Sequence, residues 1–112
     1  MCEFSVYDVS DPSKRIAEDI VRATAREGSL VVSKILGESL TLDNTLVVEL
    51  DVSKERMMVS RSPLIGNLAR LVELTLNFKK TPTPDLYKMI LALWEKTKSD
   101  GDSVIRALKS KK

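Results

Sequence analysis

The residues with the clearest capacity for metal chemistry lie at the start of the chain, where Cys2 follows Met1 and precedes Glu3. Cys2 is the only cysteine, and the chain contains no histidine. A thiol at the second position lies one peptide bond from the terminus, so its sulfur, a backbone nitrogen and the α-amine can converge on one metal ion. Thiolate and nitrogen in one plane suit Ni(II) or Cu(II) better than Zn(II). The pattern therefore indicates a metal site on Cys2 and Met1.

The same cysteine has a second interpretation, as a small buried apolar side chain with no reactive role. The ligand inventory of ordinary zinc, haem and iron–sulfur sites is missing, because there is one thiol and no imidazole. Replacement of Cys2 by serine separates the two interpretations. It removes metal binding in the first and lowers only stability in the second.

Catalytic chemistry finds little support in the sequence. Without histidine there is no side chain poised for acid–base work near neutral pH, and no nucleophile elbow occurs. The four glycines form no phosphate-binding loop. The adjacent carboxylates Glu18 and Asp19 would point to opposite faces of a strand. We therefore expect a protein that is not an enzyme.

Composition indicates an ordinary soluble chain that divides into two regions. It has 112 residues, 43% hydrophobic and 30% charged. A single cysteine fits a reducing compartment, and the sequence shows no membrane span or signal peptide, so a cytoplasmic location is expected. Through Arg61 there are eight Lys/Arg against eleven Asp/Glu, a net charge of −3, and from Ser62 onward ten against five, a net charge of +5. The shift predicts a boundary between regions 1–61 and 62–112.

Residues 2–61 have the pattern of a small antiparallel β-barrel. Apolar residues alternate along short segments, and turn signals occur at Gly28, Gly37 and Asp43-Asn44. The segment from Asp8 to Arg15 is predicted to be a loop. The apolar positions assigned to strands include Phe4, Val6, Val21, Leu30, Val32, Ile35, Leu36, Leu40, Leu42, Leu46, Val48, Leu50, Val52, Met57 and Val59. Short strands with one apolar face each favour a barrel.

The period changes to that of helices at Ser62-Pro63, a helix-start signature. Thr83 is expected to cap a second helix and Asp102 a short third one. The region is therefore predicted to be a helical hairpin or a short three-helix extension. Its apolar stripes consist of Leu64, Ile65, Leu68, Leu71, Val72 and Leu76, then of Leu86, Met89, Ile90, Leu93 and Trp94.

Two interpretations of these stripes stay open. Packing of the helices against each other and against the barrel is the plain one. An oligomer interface is the other, because a small barrel offers limited surface to cover two apolar helices. Leu74 and Leu91 lie off the main stripes and are consistent with such an interface.

RNA binding is the competing function class, because small barrels bind RNA through basic faces and aromatic stacking platforms. The barrel region is net acidic, and its only aromatic residues are Phe4 and Tyr7. Arg22 and Arg26 share a strand face with Thr24 and form at best a weak basic patch.

Order and spacing over about residues 1–60 resemble the CooT family of small nickel-binding proteins. The resemblance is carried by Cys2 within the opening Met-Cys-Glu and by four further segments. These are IAEDIVR at 16–22, LVV at 30–32, LGE at 36–38 and VELDV at 48–52. Each of these four segments alone is a common strand-and-turn pattern, so Cys2 is the specific part.

This resemblance implies a small β-barrel that forms a homodimer and binds Ni(II) through the second-position cysteine. The implied role is nickel delivery for maturation of carbon monoxide dehydrogenase, so a nickel enzyme is the implied client. The same domain class is also described as predicted RNA-binding. The helical region beyond Arg61 is not part of the usual short member, so dimer geometry can differ here.

Overall fold

The computed structural model describes residues 3–109, which form one six-stranded sheet followed by two helices. The strand order is β4-β3-β2-β1-β6-β5, and the sheet curls into a half-barrel. The strands are β1 (Phe4–Asp8), β2 (Asp11–Arg26), β3 (Ser29–Lys34), β4 (Ser39–Leu42), β5 (Thr45–Asp51) and β6 (Arg56–Arg61), and the helices are α1 (Pro63–Lys80) and α2 (Pro84–Lys109). The predicted fold class, a barrel-like sheet and then helices, is confirmed.

One side of the curled sheet forms the core. Its buried side chains alternate along the strands, as the period of two requires. They are Val6, Ile20, Leu30, Val32, Leu42, Met57 and Val59, with Phe4, Ile16 and Ala17 packed against them.

The pairing of β1 with β6 is parallel, whereas every other pairing in the sheet is antiparallel. The sequence predicted a small antiparallel barrel, and the direction of pairing differs from that prediction only at this pair. The reason is that β5 and β6 form a hairpin that crosses back to the free side of β1. β6 arrives there in the same direction as β1, so residue Val6 lies beside Met57.

The predicted loop from Asp8 to Arg15 is wrong, because β2 already begins at Asp11. The turn needs only Val9 and Ser10, since the Asp8 carboxylate accepts hydrogen bonds from both the Ser10 amide at 2.9 Å and the Ser10 hydroxyl at 2.8 Å. These bonds, the one from the amide foremost, hold the pKa of Asp8 below its usual value.

Two apolar segments are more exposed than predicted. Ile35 and Leu36 lie in the turn after β3 rather than in the strand, and Leu36 is 86% exposed. Leu46, Val48 and Leu50 were expected to face the core, yet each is more than half exposed. β5 is an edge strand paired only with β6, so the half-barrel has no strand on its other side to cover these residues.

Helix α1 starts where the sequence predicts and docks against two turns of the sheet. Ser62 caps it by accepting a hydrogen bond from the Leu64 amide at 3.3 Å, while the Ser62 amide donates to the Asn44 carbonyl at 3.0 Å. Gly66 in the first turns of α1 lies against Gly28 so closely that a Cβ on Gly28 would overlap its backbone. The helix is thereby fixed to the end of the half-barrel.

Helix α2 is continuous through Lys109, so the predicted third helix capped by Asp102 is wrong and the hairpin prediction is right. At Gly101 the helix faces α1, since a Cβ at this position would lie 3.9 Å from Leu64 Cδ2, an ordinary packing distance. Next to it, Asp100 accepts hydrogen bonds from Asn67 Nδ2 at 2.7 Å and from Lys96 Nζ at 2.8 Å. Within residues 3–109 neither helix is long and apolar enough to cross a membrane.

Candidate metal centre

The strand that follows Cys2 is held on both sides. Phe4 pairs with Ile20 of β2, and Ser5 pairs with Arg56 of β6. Val6 is fully buried at the centre of the core. Because β1 has neighbours on both edges, the backbone leading out of it from residue 3 has a defined starting position and direction.

The turn between β5 and β6 adds contacts next to the terminus. The Glu3 amide donates to Glu55 Oε2 at 3.3 Å, and the Ser5 amide donates to the Glu55 carbonyl at 3.0 Å. Glu55 has a positive φ of 49°, a conformation in which its carbonyl and its carboxylate both reach β1. Glu3, the first described residue, is therefore held by Glu55 of this turn.

Asp51 stabilises this turn. Its carboxylate accepts a hydrogen bond from the Ser53 hydroxyl at 2.7 Å and another from the Lys54 amide at 3.1 Å. These bonds, with the Ser53 hydroxyl making the largest contribution, lower the pKa of Asp51. The carboxylate stays ionised near neutral pH and keeps the turn that presents Glu55 in place.

Glu3 lies on the rim of a surface depression of about 300 Å³ that faces solvent. Its walls carry three carboxylates and one ammonium group, together with two apolar side chains from the turn after β3. The lining residues are Glu3, Asp19, Lys34, Ile35, Leu36 and Glu38. A surface with this balance of charge attracts a cation approaching the N-terminal end of β1.

A second depression of about 330 Å³ adjoins the first, and Lys34 and Glu38 line both. The turn from Lys34 to Glu38 is closed by two hydrogen bonds. The Lys34 amide donates to the Glu38 carbonyl at 2.8 Å, and the Gly37 amide donates to the Lys34 carbonyl at 3.0 Å. The turn signal at Gly37 therefore predicted a backbone feature that shapes this surface.

The sequence-predicted site residues Met1 and Cys2 lie outside the described residues, which begin at Glu3. Among residues 3–109, no group of three or more Asp, Glu, Cys or His side chains is arranged to hold a metal ion.

Two residues near the terminus were not found from the sequence. Glu55 and Asp19 both have positive φ, at 49° and 59°, and although aspartate is one of the residue types enriched in this conformation, glutamate is not. Asp19 lies where the β1–β2 register shifts, a bulge that no composition signal marks.

Arg22 and Arg26, the residues of the predicted weak basic patch, are both exposed on β2. The aromatic residues of the sheet, Phe4 and Tyr7, are half-buried. Part of each ring is therefore unavailable for base stacking, which RNA-binding barrels use.

Comparison with known protein families places most of the sheet in one of them. The family model described as CO dehydrogenase accessory protein CooT matches residues 1–60, which run from the terminus through β6 almost to Ser62. No curated protein matches the sequence. The helices α1 and α2 lie beyond the matched residues.

Proposed function

Because the chain belongs to the CooT family of CO dehydrogenase accessory proteins, we propose that it binds Ni(II) through Cys2 and delivers it during maturation of that enzyme. It acts as a non-enzymatic cytoplasmic protein whose client is a nickel enzyme. The observation that carries the proposal is the family match over residues 1–60, which includes the only cysteine. The anchoring of β1 by Ile20 and Arg56 supports it, since a ligand next to a fixed strand costs less to order.

The ligand set consists of the Cys2 thiolate and a nitrogen from the terminal amine or from the main chain at Met1 and Cys2. One thiolate and one nitrogen cannot fill a square plane, so two chains are needed. A homodimer supplies two sulfurs and two nitrogens to one Ni(II), which suits the planar geometry of that ion. Cu(II) fits the same set at least as tightly, so nickel supply sets which metal is bound.

The surroundings suit a site that passes its metal on. The carboxylates of Glu3, Asp19 and Glu38 attract a cation without forming a closed cage. Metal ligation requires a deprotonated thiol and amine, so affinity falls as the pH falls. A metal held by few ligands at a chain terminus can be transferred to a client that offers more of them.

The decisive experiment is a nickel titration of wild type and of Cys2→Ser, followed by ultraviolet absorbance and by bound-metal analysis. We expect one Ni(II) per two chains of wild type, with thiolate-to-metal charge-transfer absorption, and loss of both in the variant. A matched control is Glu3→Gln, which changes the adjacent side chain and leaves sulfur and nitrogen in place. It should retain the absorption band and lower affinity only slightly.

Equal nickel binding by wild type and Cys2→Ser would overturn the proposal, as would absence of binding by wild type at micromolar concentration. In either result Cys2 does not form the proposed nickel site. The alternative, a small-barrel RNA-binding protein, then becomes the leading function.

A further inference from the structure

The helical hairpin presents a broad apolar face to solvent. We define this face by three residues of α1 and three of α2 that are between 45% and 63% exposed, namely Leu68, Val72, Leu76, Tyr87, Trp94 and Ile105. Apolar residues exposed singly are ordinary on a protein surface, but a contiguous group marks a site of interaction with another protein or with a membrane.

The two helices of the hairpin are antiparallel and in contact at both ends. Phe78 and Tyr87 meet near the loop, with their ring centroids 6.0 Å apart. At the far end, Asn67 Nδ2 donates a hydrogen bond to Asp100 Oδ2 at 2.7 Å. One side of each helix is therefore occupied by the other helix.

Helix geometry places both halves of the apolar face on one side of the hairpin. Leu71, one turn after Asn67, and the buried Leu93 face the other helix. Val72 and Trp94 are the next residues, each about 100° further around its helix. Because the helices are antiparallel, the same rotation directs both side chains to the same side.

The half-barrel does not cover this face. It meets α1 at Gly66 and at Glu73, whose Oε1 accepts a hydrogen bond from the Glu27 amide at 3.1 Å. Both residues of α1 lie about 100° or more around the helix from Val72. The apolar face is thus turned away from the sheet.

The hairpin is attached at the end of the half-barrel away from Glu3. Gly28, which lies against α1, comes just before β3, and Lys34 ends that strand about 20 Å further on. Lys34 pairs with Ile20, which also pairs with Phe4 at the start of β1. The proposed metal site adjoins Glu3, so two chains that share it meet away from the apolar face.

The charged residues around the apolar face are all cations. Lys79 of α1 lies within about 60° of Val72, and Lys98 and Lys109 of α2 lie within about 60° of Trp94. Every carboxylate of the two helices lies about 80° or more away from these two residues. The whole region from Ser62 onward has a net charge of +5.

One of these cations has a partner within its own helix. Lys98 Nζ lies 2.9 Å from Glu95 Oε1, and both side chains are at least half exposed. An exposed pair of this kind is weak, so the ammonium group remains able to bind an external anion.

This charge distribution decides between two occupants of the face. A second hairpin would bring lysines against lysines, and like charges placed opposite each other disfavour association. A bilayer with anionic lipids offers an apolar layer to the six side chains and phosphate groups to the lysines. Lysine stems extend along apolar surface while their ammonium groups reach the headgroups, and tryptophan and tyrosine are enriched at that level of a membrane.

We infer that the apolar face is a docking surface for an anionic lipid bilayer, on which α1 and α2 lie parallel to the membrane plane. Surface binding of this kind needs no segment that crosses the bilayer. The hairpin then holds the protein at the membrane, while the Glu3 end of the half-barrel points away from it and stays accessible to a client. The inference goes beyond the proposed function and involves none of the nickel ligands.

The test is sedimentation of the full chain with vesicles, made either of phosphatidylcholine alone or of equal parts phosphatidylcholine and phosphatidylglycerol. We expect binding to the anionic vesicles, weakened by salt, and little binding to phosphatidylcholine alone. Trp94 is the only tryptophan, so its emission should shift to shorter wavelength as the face enters the bilayer.

Two matched pairs of variants locate the contact. Val72→Glu should weaken binding about ten-fold or more, whereas Asn77→Glu, an exposed position about 140° around the same helix, should bind like wild type. Lys79→Gln should weaken binding about five-fold, and Lys88→Gln, on the far side of α2, clearly less. Circular dichroism checks that each variant is folded.

Several results would overturn the inference. These are absence of binding to anionic vesicles, equally tight binding to phosphatidylcholine alone, and equal losses in Val72→Glu and Asn77→Glu. Trp94 emission that shifts on dilution without lipid would instead assign the face to a second copy of the chain, and would overturn it as well. Cys2→Ser should bind vesicles like wild type whether or not it binds nickel, so this inference and the proposed function can fail separately.

Discussion

At the scale of single residues, two glycines decide how the helices join the sheet. Gly28 ends the β2–β3 turn with φ of 81°, and its α-carbon faces the backbone of Gly66 in α1. The Gly28 carbonyl also accepts a hydrogen bond from the Thr45 amide at 3.2 Å. The turn, the helix and β5 therefore meet at one point that has no room for a side chain.

We predict that Gly28→Ala destabilises the protein more than Gly37→Ala. Both glycines have positive φ, where alanine costs about 1–2 kcal/mol. A Cβ at Gly37 meets nothing within 4 Å, whereas one at Gly28 overlaps Gly66, and overpacking adds about 1–3 kcal/mol. Urea denaturation of the two variants measures the difference in unfolding free energy. Equal losses would show that α1 yields without cost.

The sequence predicted turn residues with positive φ only where the residue type commonly adopts that conformation. Gly28, Gly37 and Asn44 are usual turn residues, and the turns predicted there are present. Glu55 adopts the same backbone region because β1 needs a hydrogen-bond partner, and Asp19, whose residue type tolerates this region, does so where β2 needs a bulge. Those requirements come from strands distant in sequence, so no local pattern displays them.

At the scale of elements, Asp100 joins α2 to α1. Its carboxylate accepts from Lys96 within its own helix and from Asn67 of the other, and Asn67 is 6% exposed. These bonds, that from Lys96 first, lower the pKa of Asp100. A carboxylate with a lowered folded-state pKa stabilises the fold above its unfolded pKa and ceases to do so as the pH falls through the folded value.

We therefore predict that Asp100→Ala lowers the Tm by a few degrees at pH 7, and that the difference from wild type vanishes well below pH 4, about the ordinary pKa of aspartate. Asp102→Ala, two residues along the same helix at an exposed position, is the control and should melt like wild type. Thermal unfolding followed by circular dichroism at both pH values measures this. A constant difference at all pH values would mean that Asp100 acts through shape rather than charge.

Elements were predicted best where local chemistry marks their ends. Ser62-Pro63 located the start of α1, because a cap and a fixed φ act within one turn. Asp102 has the type of a cap but lies inside α2, which continues past it along α1 and is joined to that helix by the hydrogen bond from Asn67 to Asp100. The exposure of Leu46 in β5 depends on sheet closure, which periodicity does not report.

At the scale of the whole molecule, charge is divided between the sheet and the helices, with −3 through Arg61 and +5 beyond. We predict that the protein does not bind single-stranded RNA at about 150 mM salt. The sheet, where an RNA-binding barrel would hold its ligand, is net acidic, and salt of this concentration screens charges that lie further apart than about 8 Å. Fluorescence anisotropy with labelled RNA over a range of salt tests this. Affinity that falls steeply with salt, and that Arg22→Glu abolishes, would favour the RNA-binding alternative.

The parallel pairing of β1 with β6 also determines when the first strand can be completed during synthesis. Ser5 finds its partner Arg56 about fifty residues later, so on the ribosome β1 waits about 2.5–10 s at roughly 5–20 residues per second. The β2–β3 and β3–β4 hairpins need only local contacts and form before then. Through that interval one edge of β1 is open, and the N-terminal strand, though made first, is among the last parts of the sheet to be secured.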